Sequence, residues 1–166
     1  MLIKELVVTL KNMPGQLYKV VSALSDQGID LKAVTCTMYG KDKTKVKLIS
    51  MNLDDAKLVL RDRKIEFVEN EVIIIDVEDK PGELARVLKL LSEAEINIEY
   101  VYTTLTYLPC RVLAVFDFTD PGKALEVLKK NQITVVTDHT VLKSSCDGNI
   151  YVERDIREYL TTVITP

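Results

Sequence analysis

The sequence aligns with itself when it is shifted by 67 residues, and this internal repeat constrains the fold more than any other feature. The clearest match joins two segments, Met13-Pro14-Gly15-Gln16-Leu17 and Lys80-Pro81-Gly82-Glu83-Leu84. Between residues 5 and 37, nine positions carry the same residue in both copies, and the register continues after a one-residue insertion. The repeat therefore predicts that the chain of 166 residues has two similar units, 1–70 and 71–140, followed by a C-terminal extension, 141–166.

Within each unit, the spacing of apolar residues changes in the same order along the chain. Residues 6–10 and 72–77 are β-branched apolar runs of strand length. After each Pro-Gly pair, apolar residues recur at i, i+3, i+4 and i+7, which predicts a helix that begins at the proline and has one apolar face. Gly28 suits the left-handed end of the first helix, whereas Glu95 at the equivalent position requires a different exit or some strain. The full pattern predicts an α+β fold of two ferredoxin-like βαββαβ sandwiches, with helices on one face of each antiparallel sheet.

The loop between the first strand and the first helix of each unit is the candidate ligand site. Backbone N–H groups at a helix start lack intrahelical partners, and the helix dipole adds partial positive charge, so a carboxylate can bind there. Glycine directly after proline leaves room for a ligand, and the preceding Asn12 or Asp79 can hydrogen-bond an amino or hydroxyl group. The alternative is that Asn/Asp-x-Pro-Gly is only an efficient turn and helix start. The presence of the loop in both units favours the ligand site.

Both units resemble ACT domains, the small ligand-binding regulatory modules of amino-acid metabolism. The resemblance covers about 140 residues and is carried by NMPGQLYKV at 12–20 with GIDL at 28–31, and by DKPGELARV at 79–87 with INI at 96–98. It implies that the two antiparallel sheets pair side by side, through their second strands, and that an effector amino acid binds at the interface between modules.

The resemblance also implies which residues form two interfacial pockets, each made from the loop of one module and the start of the second strand of its neighbour. The predicted ligand-binding residues are Asn12, Met13, Pro14, Gly15, Gln16, Leu17 and Asn97 in one pocket, and Asp79, Lys80, Pro81, Gly82, Glu83, Leu84 and Asp30 in the other. Two facing carboxylates in the second pocket disfavour a ligand carboxylate unless Lys80 compensates, so the pocket with Asn12 and Asn97 is the better amino-acid site. Leu10 and Val77 stand where some relatives carry histidine, which favours an amino acid with an apolar side chain.

Composition and charge exclude several other classes of function and of binding partner. The 22 Lys and Arg residues against 25 Asp and Glu give a formal net charge of −3, which provides no whole-protein field for nucleic acid or an anionic membrane. No apolar run approaches the roughly 18–20 residues that span a bilayer, and the start of the chain has no signal-peptide pattern. We therefore expect a cytoplasmic protein without nucleic-acid or membrane partners. The sequence contains no nucleophile and base pair, metal cluster or cofactor motif, so we expect neither catalysis nor a metal nor a cofactor.

The leading functional interpretation is a non-catalytic regulatory or sensor protein that binds a small amino acid and forms a homodimer. One alternative is a regulatory subunit of an amino-acid biosynthetic enzyme such as acetolactate synthase. Further alternatives are a small enzyme on the same scaffold and an RNA-binding module, which shares the βαββαβ order. In the C-terminal extension, the apolar stripe of Val152, Ile156, Leu160 and Val163 predicts a short helix that closes the second unit or docks on another subunit.

Overall fold

The computed structural model describes residues 2–105 and 110–136, and these form two consecutive βαββαβ units. The first unit contains β1 (Ile3–Lys11), α1 (Gln16–Ser25), β2 (Leu31–Tyr39), β3 (Lys43–Ser50), α2 (Leu53–Asp62) and the first half of β4 (Phe67–Glu78). The second unit contains the rest of β4, α3 (Glu83–Glu93), β5 (Ile98–Thr103), β6 (Arg111–Phe118), α4 (Pro121–Lys130) and β7 (Thr134–Val136). The predicted element order is confirmed, and the C-terminal extension lies outside the described residues.

The first helix of each unit begins two residues later than the sequence predicts. Gly15 and Gly82 precede the helices with φ of 83° and 94°, the left-handed conformation, which a helical residue does not adopt. The preceding prolines therefore belong to the loop and not to the first helical turn. Since the same conformation occurs in both units, the Pro-Gly pair specifies this loop locally.

For the end of α3, the sequence left two possibilities, a different exit geometry or a strained residue, and the structure shows the strained residue. Gly28 has φ of 69° and Glu95 has φ of 55°, so both adopt the left-handed conformation. The backbone hydrogen bonds around them also match, because Ile29 donates to the carbonyl of Leu24 and Ile96 donates to the carbonyl of Leu91. The exit of the second helix is thus the same as that of the first, although a glutamate occupies the position that favours glycine.

The strands form one antiparallel sheet in the order β2-β3-β1-β4-β6-β5, with β7 also paired to β4. The first half of β4, Phe67 to Val72, pairs with β1, and the second half, Ile73 to Glu78, pairs with β6. The two units therefore lie side by side, as expected, but they are joined along β4. The second strands, β2 and β5, occupy the two ends of the strand order and are linked by a 2.7 Å hydrogen bond from the Leu105 N–H to the Lys32 carbonyl.

Three apolar clusters explain why the sheet curls. In each unit, α1 and α2 or α3 and α4 cover one face of the strands and bury a core, around Leu24 and Leu48 in the first unit and around Leu91 and Phe116 in the second. The opposite face, which we call the inner face, carries a third cluster with residues of both units: Ile3, Ala33, Ile49, Val72, Ile74, Leu113, Val115 and Val136. Burial of these side chains is favourable only if the two inner faces approach each other, so the units pack with their helices outward.

Candidate ligand-binding site

The loop of the first unit, residues 12–17, reverses the chain between β1 and α1 through a short set of backbone hydrogen bonds. The Asn12 N–H donates to the Asp42 carbonyl at 2.7 Å, and the Met13 N–H donates to the Lys11 carbonyl at 2.9 Å. At Gly15, no heavy atom outside residues 14–16 lies within 4 Å of the position that a Cβ would occupy. The space above this glycine is therefore open, and its requirement for glycine comes from the positive φ angle.

The loop of the second unit, residues 79–84, repeats this geometry. The Asp79 N–H donates to the Cys110 carbonyl at 2.8 Å, and the Lys80 N–H donates to the Glu78 carbonyl at 3.0 Å. The space above Gly82 is also open within 4 Å. The internal repeat therefore extends from the sequence to the backbone of both candidate loops.

Each loop presents backbone donors at the start of a helix. In the first unit, the N–H groups of Gly15, Leu17 and Tyr18 have no acceptor among the described residues, and no side chain caps the helix. In the second unit, the same holds for the equivalent N–H groups within the described ranges. Such donors, together with the positive end of the helix dipole, can bind a carboxylate.

The two loops differ in charge. In the second loop, the Lys80 ammonium lies 2.6 Å from the carboxylate of Glu78 and 3.5 Å from that of Glu83. Hydrogen bonding to Glu78 raises the pKa of Lys80, and hydrogen bonding to Arg86 lowers the pKa of Glu83. Lys80 is thus engaged by glutamates of its own unit, which leaves it less able to offset a second aspartate.

The first loop adjoins exposed apolar side chains and a cavity with a partly apolar lining. The Met13 side chain is exposed, as is that of Tyr18 in the first turn of α1. A cavity of about 280 Å³ adjoins the loop and is lined by Leu10, Gln16, Lys19, Val20, Ala23, Arg63 and Ile65. Leu10 thus shares the apolar part of this lining with Val20, Ala23 and Ile65, whereas the other three residues are polar or charged.

The predicted partners of the loops occupy equivalent places at the starts of β2 and β5. The Asp30 carboxylate forms an ion pair with Lys32, and its carbonyl accepts a 3.1 Å hydrogen bond from the Ser50 hydroxyl. The Asn97 carbonyl accepts a 3.3 Å hydrogen bond from the Thr119 N–H. The register of the strands sets the two loops at opposite ends of β4. The loop of residues 12–17 follows β1 beyond the Val8–Phe67 pair, and the other loop directly follows Glu78.

No described hydrogen bond or ion pair joins residues 12–17 to Asn97, or residues 79–84 to Asp30. The two interfacial pockets therefore stay predictions.

Sequence analysis missed a polar cluster on the inner face, between the two units. Glu5 on β1 is fully buried and accepts hydrogen bonds from the Tyr100 and Tyr102 hydroxyls of β5, the latter at 2.7 Å. The Asn70 amide lies 2.9 Å from the Asp117 carboxylate and 2.8 Å from the Tyr100 hydroxyl. Together with Lys47 on β3, these residues form what we call the polar cluster. No single segment of the sequence indicates it, because its members come from five strands.

Burial shifts the pKa values of three members of this polar cluster, Tyr100, Tyr102 and Lys47. The pKa values of Tyr100 and Tyr102 are raised, mainly by burial and then by the nearby Glu5 carboxylate. The Lys47 ammonium, which lies over the Tyr100 ring, has its pKa lowered by burial, although Glu5 and Asp117 oppose that shift. The tyrosines therefore stay protonated and act as hydrogen-bond donors to Glu5.

Comparison with known proteins identifies the family. The profile of the ACT domain pair family matches residues 1–144. The chain belongs to this family. The ACT resemblance of both units is thereby confirmed.

Three known proteins are similar to this ACT domain pair in sequence or in fold. An aspartokinase from Corynebacterium glutamicum is 36% identical over an alignment of 89 residues that covers 48% of this chain and 21% of that enzyme. The solved structure of protein BT0572 from Bacteroides thetaiotaomicron is 28% identical with a TM-score of 0.75, over 82% of this chain and 92% of that one. The ligand-free regulatory subunit of aspartate kinase from Thermus thermophilus shares the fold, with 15% identity and a TM-score of 0.55 over 76% of this chain and 90% of that subunit.

Two further structural findings concern metal sites and membrane-spanning helices. Within residues 2–105 and 110–136, no three His, Cys, Asp or Glu side chains are grouped so that they could hold a metal ion. Among the helices of the same ranges, none has the length and apolar character needed to cross a membrane.

Proposed function

We propose that this ACT domain pair is a non-catalytic regulatory protein of the cytoplasm that senses a free amino acid. The observation that carries the proposal is the duplicated loop, in which open glycines and backbone donors without acceptors among the described residues lie at a helix start. The donors would bind the ligand carboxylate, and the side-chain oxygen of Asn12 would accept from its ammonium group. A ligand bound there regulates only through its different affinity for two states of the protein.

The first loop is the better amino-acid site of the two. Asn12 carries no charge, whereas Asp79 lies beside a lysine that is already paired with Glu78 and Glu83. A ligand carboxylate at the second loop would meet this acidic surrounding. The cavity that includes Leu10, Val20 and Ile65 adds an apolar surface near the first loop, which supports a ligand with an aliphatic side chain.

A second copy of the chain would complete the site. The interfacial pocket needs Asn97 from a neighbouring module, and among the described residues no hydrogen bond or ion pair joins Asn97 to residues 12–17. In the homodimer that we propose, the loop of one chain faces the start of β5 of the other. The side chains of Met13 and Tyr18, 59% and 74% exposed, provide apolar surface next to the loop for such a contact.

A thermal-shift screen against the twenty amino acids tests the proposal. A ligand at 100 times its Kd stabilises the folded state by about 2.7 kcal/mol, which corresponds to a rise in Tm of about 5–10 °C for a chain of this size. We expect one or two amino acids with aliphatic side chains to give this rise. If no amino acid raises Tm at millimolar concentration, the sensor proposal is wrong.

Matched variants locate the site. Gly15→Val and Gly82→Val strain the same backbone conformation, so each is compared with itself in the presence and absence of ligand. We expect Gly15→Val to abolish the ligand-induced rise in Tm and Gly82→Val to retain it. Asn97→Ala should likewise abolish the rise, with Asp30→Ala as its control. Equal losses at both loops would contradict the ranking of the two pockets.

The alternative is a regulatory subunit of an amino-acid biosynthetic enzyme, such as acetolactate synthase. The 36% identity to part of an aspartokinase favours an aspartate kinase as a second candidate partner. Mixing the protein with each purified catalytic subunit, with and without the amino acid found in the screen, tests this alternative. A change in enzyme activity that requires both the protein and the amino acid would support it, and unchanged activity would leave the free sensor as the better proposal.

A further inference from the structure

The strand register allows every inner-face residue to be matched with its equivalent in the other unit. Leu6 pairs with Leu48 in the first unit, and Ile73 pairs with Phe116 in the second. The offset between equivalents is therefore 67 residues in β1 and β4 and 68 in β3 and β6. The strands β2 and β5 share the same irregularity, at Leu31/Ala33 and at Ile98/Tyr100, so their offset is also 67.

This matching shows that the polar cluster has an apolar counterpart. The equivalent pairs, with the member of the polar cluster first, are Glu5/Val72, Lys47/Val115, Asn70/Ile3, Tyr100/Ala33, Tyr102/Thr35 and Asp117/Ile49. All of the counterparts except Thr35 belong to the apolar cluster between the two inner faces. The interface between the units thus has two halves related by the internal repeat, one polar and one apolar.

We propose that these two halves make the inner face of each unit selective for the other unit and reject a second copy of itself. In the polar half, Glu5 and Lys47 come from the first unit, and Tyr100, Tyr102 and Asp117 come from the second. Only this combination gives the buried Glu5 carboxylate two hydroxyl donors and places the Lys47 ammonium near Asp117. The inference does not depend on the proposed function.

Pairing of two first units would bury the Glu5 carboxylate without its tyrosine donors. By the equivalences above, the residues facing Glu5 and Lys47 would then be Ala33, Thr35 and Ile49. Ala33 and Ile49 offer no hydrogen bond, and Thr35 offers one short hydroxyl, so the fully buried Glu5 carboxylate would keep Lys47 of its own unit nearby but lose both tyrosine donors. Because a buried carboxylate that lacks hydrogen-bond donors is strongly unfavourable, this pairing is disfavoured.

Pairing of two second units fails for the same reason. Tyr100, Tyr102 and Asp117 would face Val72 and Val115 in place of Glu5 and Lys47. Asp117 would be desolvated without the Lys47 ammonium, and the tyrosine hydroxyls would lose their carboxylate acceptor. The wild-type sequence therefore disfavours exchange of like units between chains, which a symmetric apolar interface would permit.

The first test measures coupling across the interface in the full chain. Glu5→Leu, Tyr102→Phe and the double variant are compared by urea unfolding. We expect the double variant to be clearly less destabilised than the sum of the single variants, because either change alone already breaks the same hydrogen bond. Glu5→Leu combined with Val87→Ala, a core residue of the second unit on the helix-covered face, should be additive. Additivity of Glu5→Leu and Tyr102→Phe would overturn the proposal.

The second test removes the polar half. The variant E5L/K47M/N70L/Y100F/Y102F/D117L replaces it with apolar side chains of similar volume. Native mass spectrometry of ¹⁵N-labelled and unlabelled chains, mixed after denaturation and refolding, then reports exchange between copies. We expect assemblies larger than the wild-type oligomer to increase several-fold, and these assemblies should contain labelled and unlabelled chains together. A folded variant with the wild-type distribution at every concentration would overturn the proposal, and if the variant does not fold, the coupling measurement decides.

Discussion

The end of α3 allows a prediction of a stability gain from a single substitution, Glu95→Gly. Glu95 has φ of 55° in the position where α1 has Gly28, with matching backbone hydrogen bonds. The Glu95 side chain is exposed and forms no ion pair with the described residues. Replacing it therefore changes little except the conformational preference of the backbone.

The magnitude follows from two opposing terms. A residue with a Cβ in the left-handed conformation costs roughly 1–2 kcal/mol, which glycine avoids. Glycine in turn gains roughly 0.5–1 kcal/mol of additional entropy in the unfolded chain, which opposes the benefit. The net expectation is a stabilisation of about 0.5–1 kcal/mol, or a rise in Tm of about 1–4 °C for a chain of this length.

Urea and thermal unfolding of the full chain measure this gain. The matched control is Gly28→Glu, which places the same side chain at the same helix end of the first unit and should lower stability by a similar amount. Unchanged or reduced stability of Glu95→Gly, together with the expected loss in Gly28→Glu, would refute the reasoning. It would mean that the Glu95 side chain stabilises the fold by interactions that exceed the backbone strain.

Two further predictions concern the helix core and the polar cluster. Leu91→Ala should reduce the free energy of unfolding, measured by urea titration, by about 2–5 kcal/mol because Leu91 is fully buried in the core of the second unit. The control is Leu58→Ala on α2, where the side chain is 56% exposed, and it should change this free energy by less than about 0.5 kcal/mol. The raised pKa of Tyr102 predicts a pH effect, since the folded state keeps this proton when the unfolded chain releases it near pH 10. The contribution of Tyr102 to the free energy of unfolding should be retained below pH 10 and should fall above pH 10 by up to about 1.4 kcal/mol per pH unit. Tyr102→Phe should make the loss of stability with pH less steep. The same slope in the wild type and in Tyr102→Phe would contradict this prediction.

The candidate loops are the part of the molecule that the sequence could predict, because their structure is local. Proline fixes φ, and glycine permits the positive φ that follows, so the same loop forms after β1 and after β4. The apolar spacing after each loop likewise predicted α1 and α3, since a helix shows its buried face in its own sequence. The repeat then extended these local results to two units of the same fold.

What only the tertiary structure decided is how the two units meet. The last strand of the first unit and the first strand of the second are one strand, Phe67–Glu78, and this brings the inner faces together. In the sequence, Glu5 is an ordinary polar residue within a strand, yet the structure buries it fully. Its partners Tyr100 and Tyr102 lie about a hundred residues away along the chain, so the sequence around Glu5 does not indicate this burial. The polar cluster is stabilised by hydrogen bonds between strands that come into contact only when the chain folds. No segment of the sequence therefore shows a periodic pattern that would predict it.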